Sequence, residues 1–149
     1  MSVILQTAPF EPGALLTAFS AGRAETGAVA SFTGLARAEQ GGTDILELEA
    51  YPGLTDAEIA RIAQGAAQRF GLQDWLVVHR VGRIAPGEAI VFVATASTHR
   101  REAFEACDYL MDYLKSRAPF WKKSHGRDGA RWIEPTDRDR TDVERWERP

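Results

Sequence analysis

WLVVHRVGRIAPGEAIVFVATAS, residues 75–97, is the stretch on which the fold turns. Two runs rich in β-branched and aromatic side chains, 75–82 and 89–97, flank Ala85-Pro86-Gly87-Glu88, and Pro then Gly is the order a type II turn prefers. The stretch predicts a β-hairpin. After it the period changes: Phe104, Cys107, Met111 and Leu114 recur at helical spacing over 100–116, and Pro119 stops the run. Before it, 55–70 is the clearest helix, with Ile59, Ile62, Ala63, Ala66 and Phe70 on one apolar stripe. Thr55 and Glu58 are spaced as a capping box, and Gly71 is placed to end the helix.

Working outward, SVILQ at 2–6 reads as a short strand, and GALLTAFSAG, after Pro9 and Pro12, as a helix. GAVASFTGL at 27–35 is a strand running into a glycine-containing turn, and Gly41-Gly42 breaks the chain before ILELEAY at 45–51. There Leu46, Leu48 and Ala50 alternate with Glu47, Glu49 and Tyr51, the pattern of a strand with one wet face. FWKKS and ARWIE, around HGRDG, predict a last hairpin. Hairpins mixed with crossovers argue for a single α+β domain over 1–135 and against a doubly wound parallel sheet. Residues 136–149 are dense in Asp, Glu and Arg with Trp146 as the only large apolar side chain, which predicts a solvated tail or a loosely docked arm.

A length of 149 residues suits one core, and 44% hydrophobic with 26% charged residues excludes a disordered chain. The net charge of -3 offers no whole-molecule basic field for nucleic acid, and no run approaches the apolar length that crosses a bilayer. One cysteine, Cys107, rules out an intrachain disulfide and a multi-cysteine metal site; at mid-helix on the apolar face it reads as core. His79, His99 and His125 are dispersed without supporting carboxylates, so no metal is expected, and no other cofactor. His79, alternating with Val77 and Val81, reads as structural, and His125 as a turn residue. With no secretory leader, these features predict a soluble cytoplasmic protein.

The acidic total conceals a basic block. Residues 99–131 carry eight Lys/Arg against five Asp/Glu, a balance of +3, and the rest of the chain has -6. His99 and Arg100 fall where a β-run gives way to a helix, and the free N–H groups of a helix start favour a phosphate or carboxylate. Only three of the 18 basic residues are lysines, Lys115, Lys122 and Lys123, all within nine positions. A compact amine has a tunable pKa that guanidinium lacks, so it can donate a proton, stabilise an oxyanion or form a Schiff base. Lys115 borders the apolar face of its helix, where a C-terminal cation is also favourable in itself. Alternation in FWKKS sets Phe120, Lys122 and Ser124 on one side and Trp121 with Lys123 on the other, without deciding which lysine faces inward. Arg37 ends a glycine-containing loop start and is a weaker anion-binding signal.

FTGLAR at 32–37, LEAYPGLTDAE at 48–58, HRVGRIAPGEAIVFV at 79–93, STHRREAFEACDYLMDYLKSRAPFWKKS at 97–124 and RWIE at 131–134 closely resemble the MoaE family, the catalytic large subunits of molybdopterin synthase. The resemblance covers roughly residues 25–135. It implies an α/β hammerhead-type fold and a homodimer that binds two copies of a small ubiquitin-like sulfur-carrier subunit. It implies conversion of cyclic pyranopterin monophosphate (precursor Z) to molybdopterin, with both dithiolene sulfurs taken from thiocarboxylates at the carrier's Gly-Gly C-terminus. Carried over by motif, Lys115 and Lys122 would be catalytic, and Arg37, His99 and Arg100 would bind substrate. Leu35, Ala36, Lys123 and Ser124 would line the same pocket. Ser124 stands where the family often has an acidic residue, Ala36 where a larger apolar one precedes the arginine, and Arg101 where a small polar residue is common. A Schiff-base lyase and a non-catalytic anion-binding module are the competing readings of the same lysines.

Overall fold

A computed structural model describes residues 1–38, 45–126 and 129–148. The predicted break at Gly41-Gly42 and the centre of the HGRDG turn lie outside these residues. In chain order the elements are β1 (Ser2–Gln6), α1 (Pro12–Ser20), β2 (Ala28–Leu35), β3 (Ile45–Ala50), α2 (Thr55–Phe70), β4 (Asp74–Arg80), β5 (Gly82–Ile84), β6 (Ala89–Ser97), α3 (Arg100–Arg117), β7 (Phe120–Gly126), β8 (Gly129–Trp132) and α4 (Asp137–Glu147). Among the described residues the strands form two four-stranded sheets, ordered β1-β4-β6-β2 and β5-β3-β7-β8, in which only the β1-β4 pairing is parallel. The α+β expectation holds.

The 75–97 stretch builds the centre of the first sheet but is not a simple hairpin. β4 and β6 pair antiparallel from Asp74↔Ala96 to His79↔Val91, while the residues between them leave as β5 to pair with β3 in the second sheet. Two devices make that excursion. Gly82 has φ of 84°, a left-handed conformation that glycine adopts without penalty, and Arg80 is buried with one guanidinium nitrogen on Glu88 Oε2 at 2.9 Å. Its other terminal nitrogen donates to the carbonyls of Thr7 and Arg83, both at 3.1 Å. The turn behaves as its sequence predicts, with Gly87 at φ 89° and Glu88 N–H donating to Ala85 O at 3.1 Å.

Both faces of the central strands are covered, which explains why they read as unbroken apolar runs. Val77, Val91 and Val93 face α2 and α3 and meet Ile59, Ile62, Ala66, Ala106, Cys107 and Leu110. Val78, Phe92, Ala94 and Ala96 face the other way and pack with Phe19 of α1. A third, small cluster of Ala36, Leu48 and Ile84, with Phe120 against it, joins the two sheets.

Three local expectations fail. The N-cap of α2 is Leu54, without a side-chain cap, because Thr55 is fully buried and its hydroxyl is otherwise engaged: it accepts from Tyr51 N–H and donates to Pro119 O, each at 2.8 Å. Phe104 is 67% exposed, since Ala103, Ala106, Cys107, Leu110 and Leu114 supply the packed stripe of α3. His125 lies in β7, paired with Ile45 and bonded through Nε2 to Glu47 at 3.1 Å. The C-terminal segment, read as solvated or loosely attached, is helical and docked. Its capping box is Thr136 with Asp139, Val143 is buried, and Asp112 Oδ2 accepts from Trp146 Nε1 and Arg145 NH2, each at 2.6 Å. Trp146 packs edge-on against Phe70 and Tyr109, apolar surface that a composition count gives no reason to connect.

Candidate functional site

Lys122 is the lysine that turns inward. β7 pairs with β3 so that Lys122 lies opposite Leu48 and Ser124 opposite Leu46; this face looks into the molecule, while Trp121, 48% exposed, lies on the outer one. Burial pushes the Lys122 pKa down to about 8, the nearby Lys115 ammonium lowers it further, and Asp139 of α4 acts in the opposite direction. Lys123 goes outward and places its ammonium over the Trp132 ring, 5.0 Å from the centroid. The alternation left open between the two lysines is thereby resolved.

Lys115 occupies the last turn of α3 and is exposed, so its side chain reaches the corner from the solvent side. Ser116, next to it, donates from its hydroxyl to Asp139 O at 2.9 Å, which brings the start of α4 to the end of α3. Between the two lysine-bearing elements sits His79. Its ring is buried, stacks on Phe120 at 4.2 Å between centroids, and makes a 2.8 Å bond from Nδ1 to Arg80 O. A carbonyl only accepts, so Nδ1 carries the proton and Nε2 bears the lone pair. Burial takes the His79 pKa down to about 4; the Arg80 carbonyl opposes this, and the charges of Lys122 and Lys115 add to it. The sequence reading of His79 as structural missed this company, because β4 and β7 belong to different sheets that meet only in the folded chain.

Arg37 follows β2 at a point pinned on both sides of the backbone: Ala36 N–H donates to Glu88 O at 2.9 Å, and Gly87 N–H donates to Ala36 O at 2.7 Å. Ala36 is buried against Leu48 and Ile84, Leu35 is 58% exposed, and Arg37 is exposed. Phe120 packs on this same cluster, so Arg37, Lys115 and Lys122 belong to one end of the molecule.

His99 and Arg100 belong to the other. His99 is the N-cap residue of α3, without a side-chain cap bond, and with Arg100, Arg101, Glu102, Phe104 and Glu105 it lines an open depression of about 570 Å³. At 1.5 Å per residue, the helix carries Lys115 about 24 Å from His99. The expected site residues therefore form two clusters on one chain. Glycine makes the second cluster's geometry: a Cβ on Gly27 would stand 2.0 Å from Thr98 O, beside His99. Among the described residues no group of three or more His, Cys, Asp or Glu converges as a metal site would need, and no helix is long and apolar enough to cross a membrane.

Residues 5–117 match the MoaE protein family. The chain belongs to that family. It is 75% identical over 147 residues to the molybdopterin synthase catalytic subunit of Caulobacter vibrioides, covering 99% of this chain and 98% of the relative. Among solved structures, the molybdopterin biosynthesis MoaE protein from Burkholderia ambifaria MC40-6 superposes with a TM-score of 0.85 at 40% identity, over 99% of both chains. A molybdopterin synthase structure from Staphylococcus aureus superposes with 0.77 at 28% identity, covering 89% of this chain and 95% of that one. The MoaE resemblance seen in the sequence motifs and the α+β architecture agree with these findings.

Proposed function

We infer that this MoaE-family chain is the catalytic subunit of a molybdopterin synthase, transferring sulfur from the thiocarboxylated Gly-Gly C-terminus of a small ubiquitin-like carrier to precursor Z. The observation that carries the assignment of catalysis is the amine at Lys122: a mostly buried lysine, shifted close to neutrality, with a second lysine beside it. The thiocarboxylate sulfur takes the place of an oxygen on the substrate carbon, which leaves protonated, and water then cleaves the acyl–sulfur bond, returning the carrier as its carboxylate. Negative charge builds on the departing oxygen and on the acyl oxygen, and an ammonium in a low-dielectric corner stabilises that charge and supplies the proton that the leaving group takes. Lys115 does the same from the solvent side. The sulfur arrives on the carrier, so the enzyme needs no thiol, and Cys107 is unsuited to be one: burial pushes its pKa up to about 12. A single buried cysteine also suits a cytoplasmic, reducing setting.

Arg37, His99 and Arg100 are assigned to the cyclic phosphate of the substrate, with Leu35, Ala36 and Ser124 around the lysines, and Lys123, on the outer face of β7, to the rim. Two clusters about 24 Å apart along α3 do not act on one small substrate within one chain. A second copy reunites them. β2 is an edge strand whose start pairs with Ser97, next to the His99 cluster, and whose end leads to Arg37. Its Phe32 is 41% exposed, as is Phe104 of α3 at 67%, and this apolar edge suits a twofold partner. Such a pairing sets the His99 end of one copy beside the Arg37 end of the other.

The test is reconstitution. With precursor Z and a thiocarboxylated carrier the protein makes molybdopterin, and Lys122→Ala stops it while the fold persists; no product with an authentic carrier refutes the assignment. Borohydride trapping of substrate on Lys115 or Lys122 would support a Schiff-base lyase instead.

A further inference from the structure

We propose that the aromatic outer face of the second sheet, formed by Tyr51, Trp121 and Trp132 with Leu54 and Lys123 at its margin, is the seat of the carrier's folded body. The proposal rests on the synthase reading for the nature of the partner and adds the surface that holds it.

These rings face solvent and touch one another. Trp121 and Trp132 are 48% and 60% exposed with ring centroids 5.2 Å apart, and Tyr51, 37% exposed, lies 6.1 Å from Trp121. Leu54, 57% exposed, joins the group through its N–H, which donates to Tyr51 O at 3.0 Å. Contiguous apolar surface of this kind is costly to leave wet, and interfaces use Trp and Tyr as buried anchors inside a charged margin. The margin is present: the Lys123 ammonium lies 5.0 Å from the Trp132 centroid, and Glu47 and Glu49 of β3 stand opposite Lys123 and Trp121.

Position selects the occupant. Trp121 and Lys123 flank Lys122 along β7, and Trp132 lies opposite Lys123 on β8. β8 is an edge strand exposed along its length. Just past it, Ile133 donates from its N–H to Lys122 O at 2.9 Å and is itself 39% exposed, so the sheet edge beside Lys122 is open. Gly-Gly spans only about 7 Å when extended, so a carrier that presents its terminal thiocarboxylate to Lys122 rests its body on surface bordering β7. The other exposed large apolar side chains among the described residues lie elsewhere. Phe104 is near the start of α3, away from the lysines; Met1 and Ile4 are at β1 in the first sheet; Phe32 and Leu35 are on β2, the edge given above to a second copy.

Binding is read by isothermal titration calorimetry on the intact homodimer, with a carrier whose C-terminus is the ordinary carboxylate, so no turnover is needed. Trp132→Glu should weaken the carrier's Kd by about 20-fold or more and Trp121→Ala by about tenfold, both with a native melting transition and an intact dimer in sedimentation. A carrier shortened by its Gly-Gly should still bind the wild type and lose that binding to Trp132→Glu. In turnover the KM for carrier should rise by the same factors, while kcat at saturating carrier and the KM for precursor Z stay within twofold, a split that damage to the amine corner would not give. Should Trp121→Ala unfold the chain, Trp132→Glu, on the exposed edge strand, carries the test alone. Carrier affinity within twofold of wild type in every folded variant overturns the proposal, as does a shortened carrier that fails to bind. Dissociation of the Trp132→Glu homodimer into single chains also overturns it and gives this face to the second copy. Carrier binding with the expected tryptophan dependence but no molybdopterin sinks the synthase reading alone; normal synthesis with an unchanged KM for carrier in the variants sinks the proposal alone.

Discussion

Crossing a lesion at one end of α3 with a lesion at the other tests the two-cluster geometry on a purified heterodimer. Lys122→Ala removes the amine corner, and the double change His99→Ala with Arg100→Ala removes the anion cluster. Each homodimer should retain roughly a hundredth of normal turnover or less, since a positioned proton donor and a fixed cation each contribute about 10²-fold or more. The helix sets about 24 Å between Lys115 and His99, more than twice the length of an extended lysine side chain, so no substrate held by the anion cluster of one chain reaches the amines of that chain. If each site takes amines from one copy and anion-binding groups from the other, a heterodimer of the two variants holds one site with both lesions and one with neither. Co-expression with two affinity tags, tandem purification and assay with thiocarboxylated carrier should therefore give about half the wild-type rate per dimer. If every site lay within one chain, both would be damaged, and a heterodimer no better than its parents would refute the shared-site geometry.

Other outcomes follow from the same structure. Lys122→Met should abolish turnover yet raise stability, on the order of 1–3 kcal/mol by thermal unfolding at pH 7, because folding holds the amine in a place that depresses its pKa to about 8. His79 has a folded pKa of about 4 against an ordinary 6.5, so its neutral form is the one folding favours: its contribution is complete above pH 6.5 and about 3 kcal/mol of stability is lost as pH falls from there towards 4. Urea titrations should show that slope in wild type and a shallower one in His79→Gln. Cys107 should resist iodoacetamide at pH 8 in the folded protein and react once unfolded, with full activity kept after exposure. Asp112→Ala should release α4, lowering stability by about 2 kcal/mol and exposing Trp146 to fluorescence quenchers, since one carboxylate oxygen holds both Arg145 and Trp146.

Most elements could be read from the sequence because their signals are local: the apolar stripe of α2, the Pro86-Gly87 turn and the β-branched runs of β4 and β6 each declare themselves within a dozen residues. What could not be read is tertiary competition. Thr55 looks like a cap, but the hydroxyl is taken by Tyr51 and Pro119, the latter far away in sequence. Phe104 looks like core by spacing, yet the face of α3 turned to the sheet is the one with Ala103, Ala106, Cys107 and Leu110, and Phe104 lies outside it. The site divides in the same way. Alternation narrowed the inward lysine to a pair, and pairing with β3 chose Lys122. That His79 approaches the lysines depends on two sheets meeting at a corner, which no window along the chain contains.

The interleaved order of the first sheet bears on how the molecule is made. β4 and β6 are joined by a short excursion and form the central pair, whereas β1 must wait for β4, and β2 for β6, each across most of a helix-containing segment. Short loops close at lower entropic cost than long ones, so the central pair is the natural nucleus, with the edges added later. The Arg80–Glu88 pin belongs to that nucleus. The strand that carries His79 thus takes shape early in folding and its corner waits for β7, while the edge strand β2, with its exposed Phe32 and Leu35, is added late and remains the part of the sheet most open to pairing with another chain while folding proceeds.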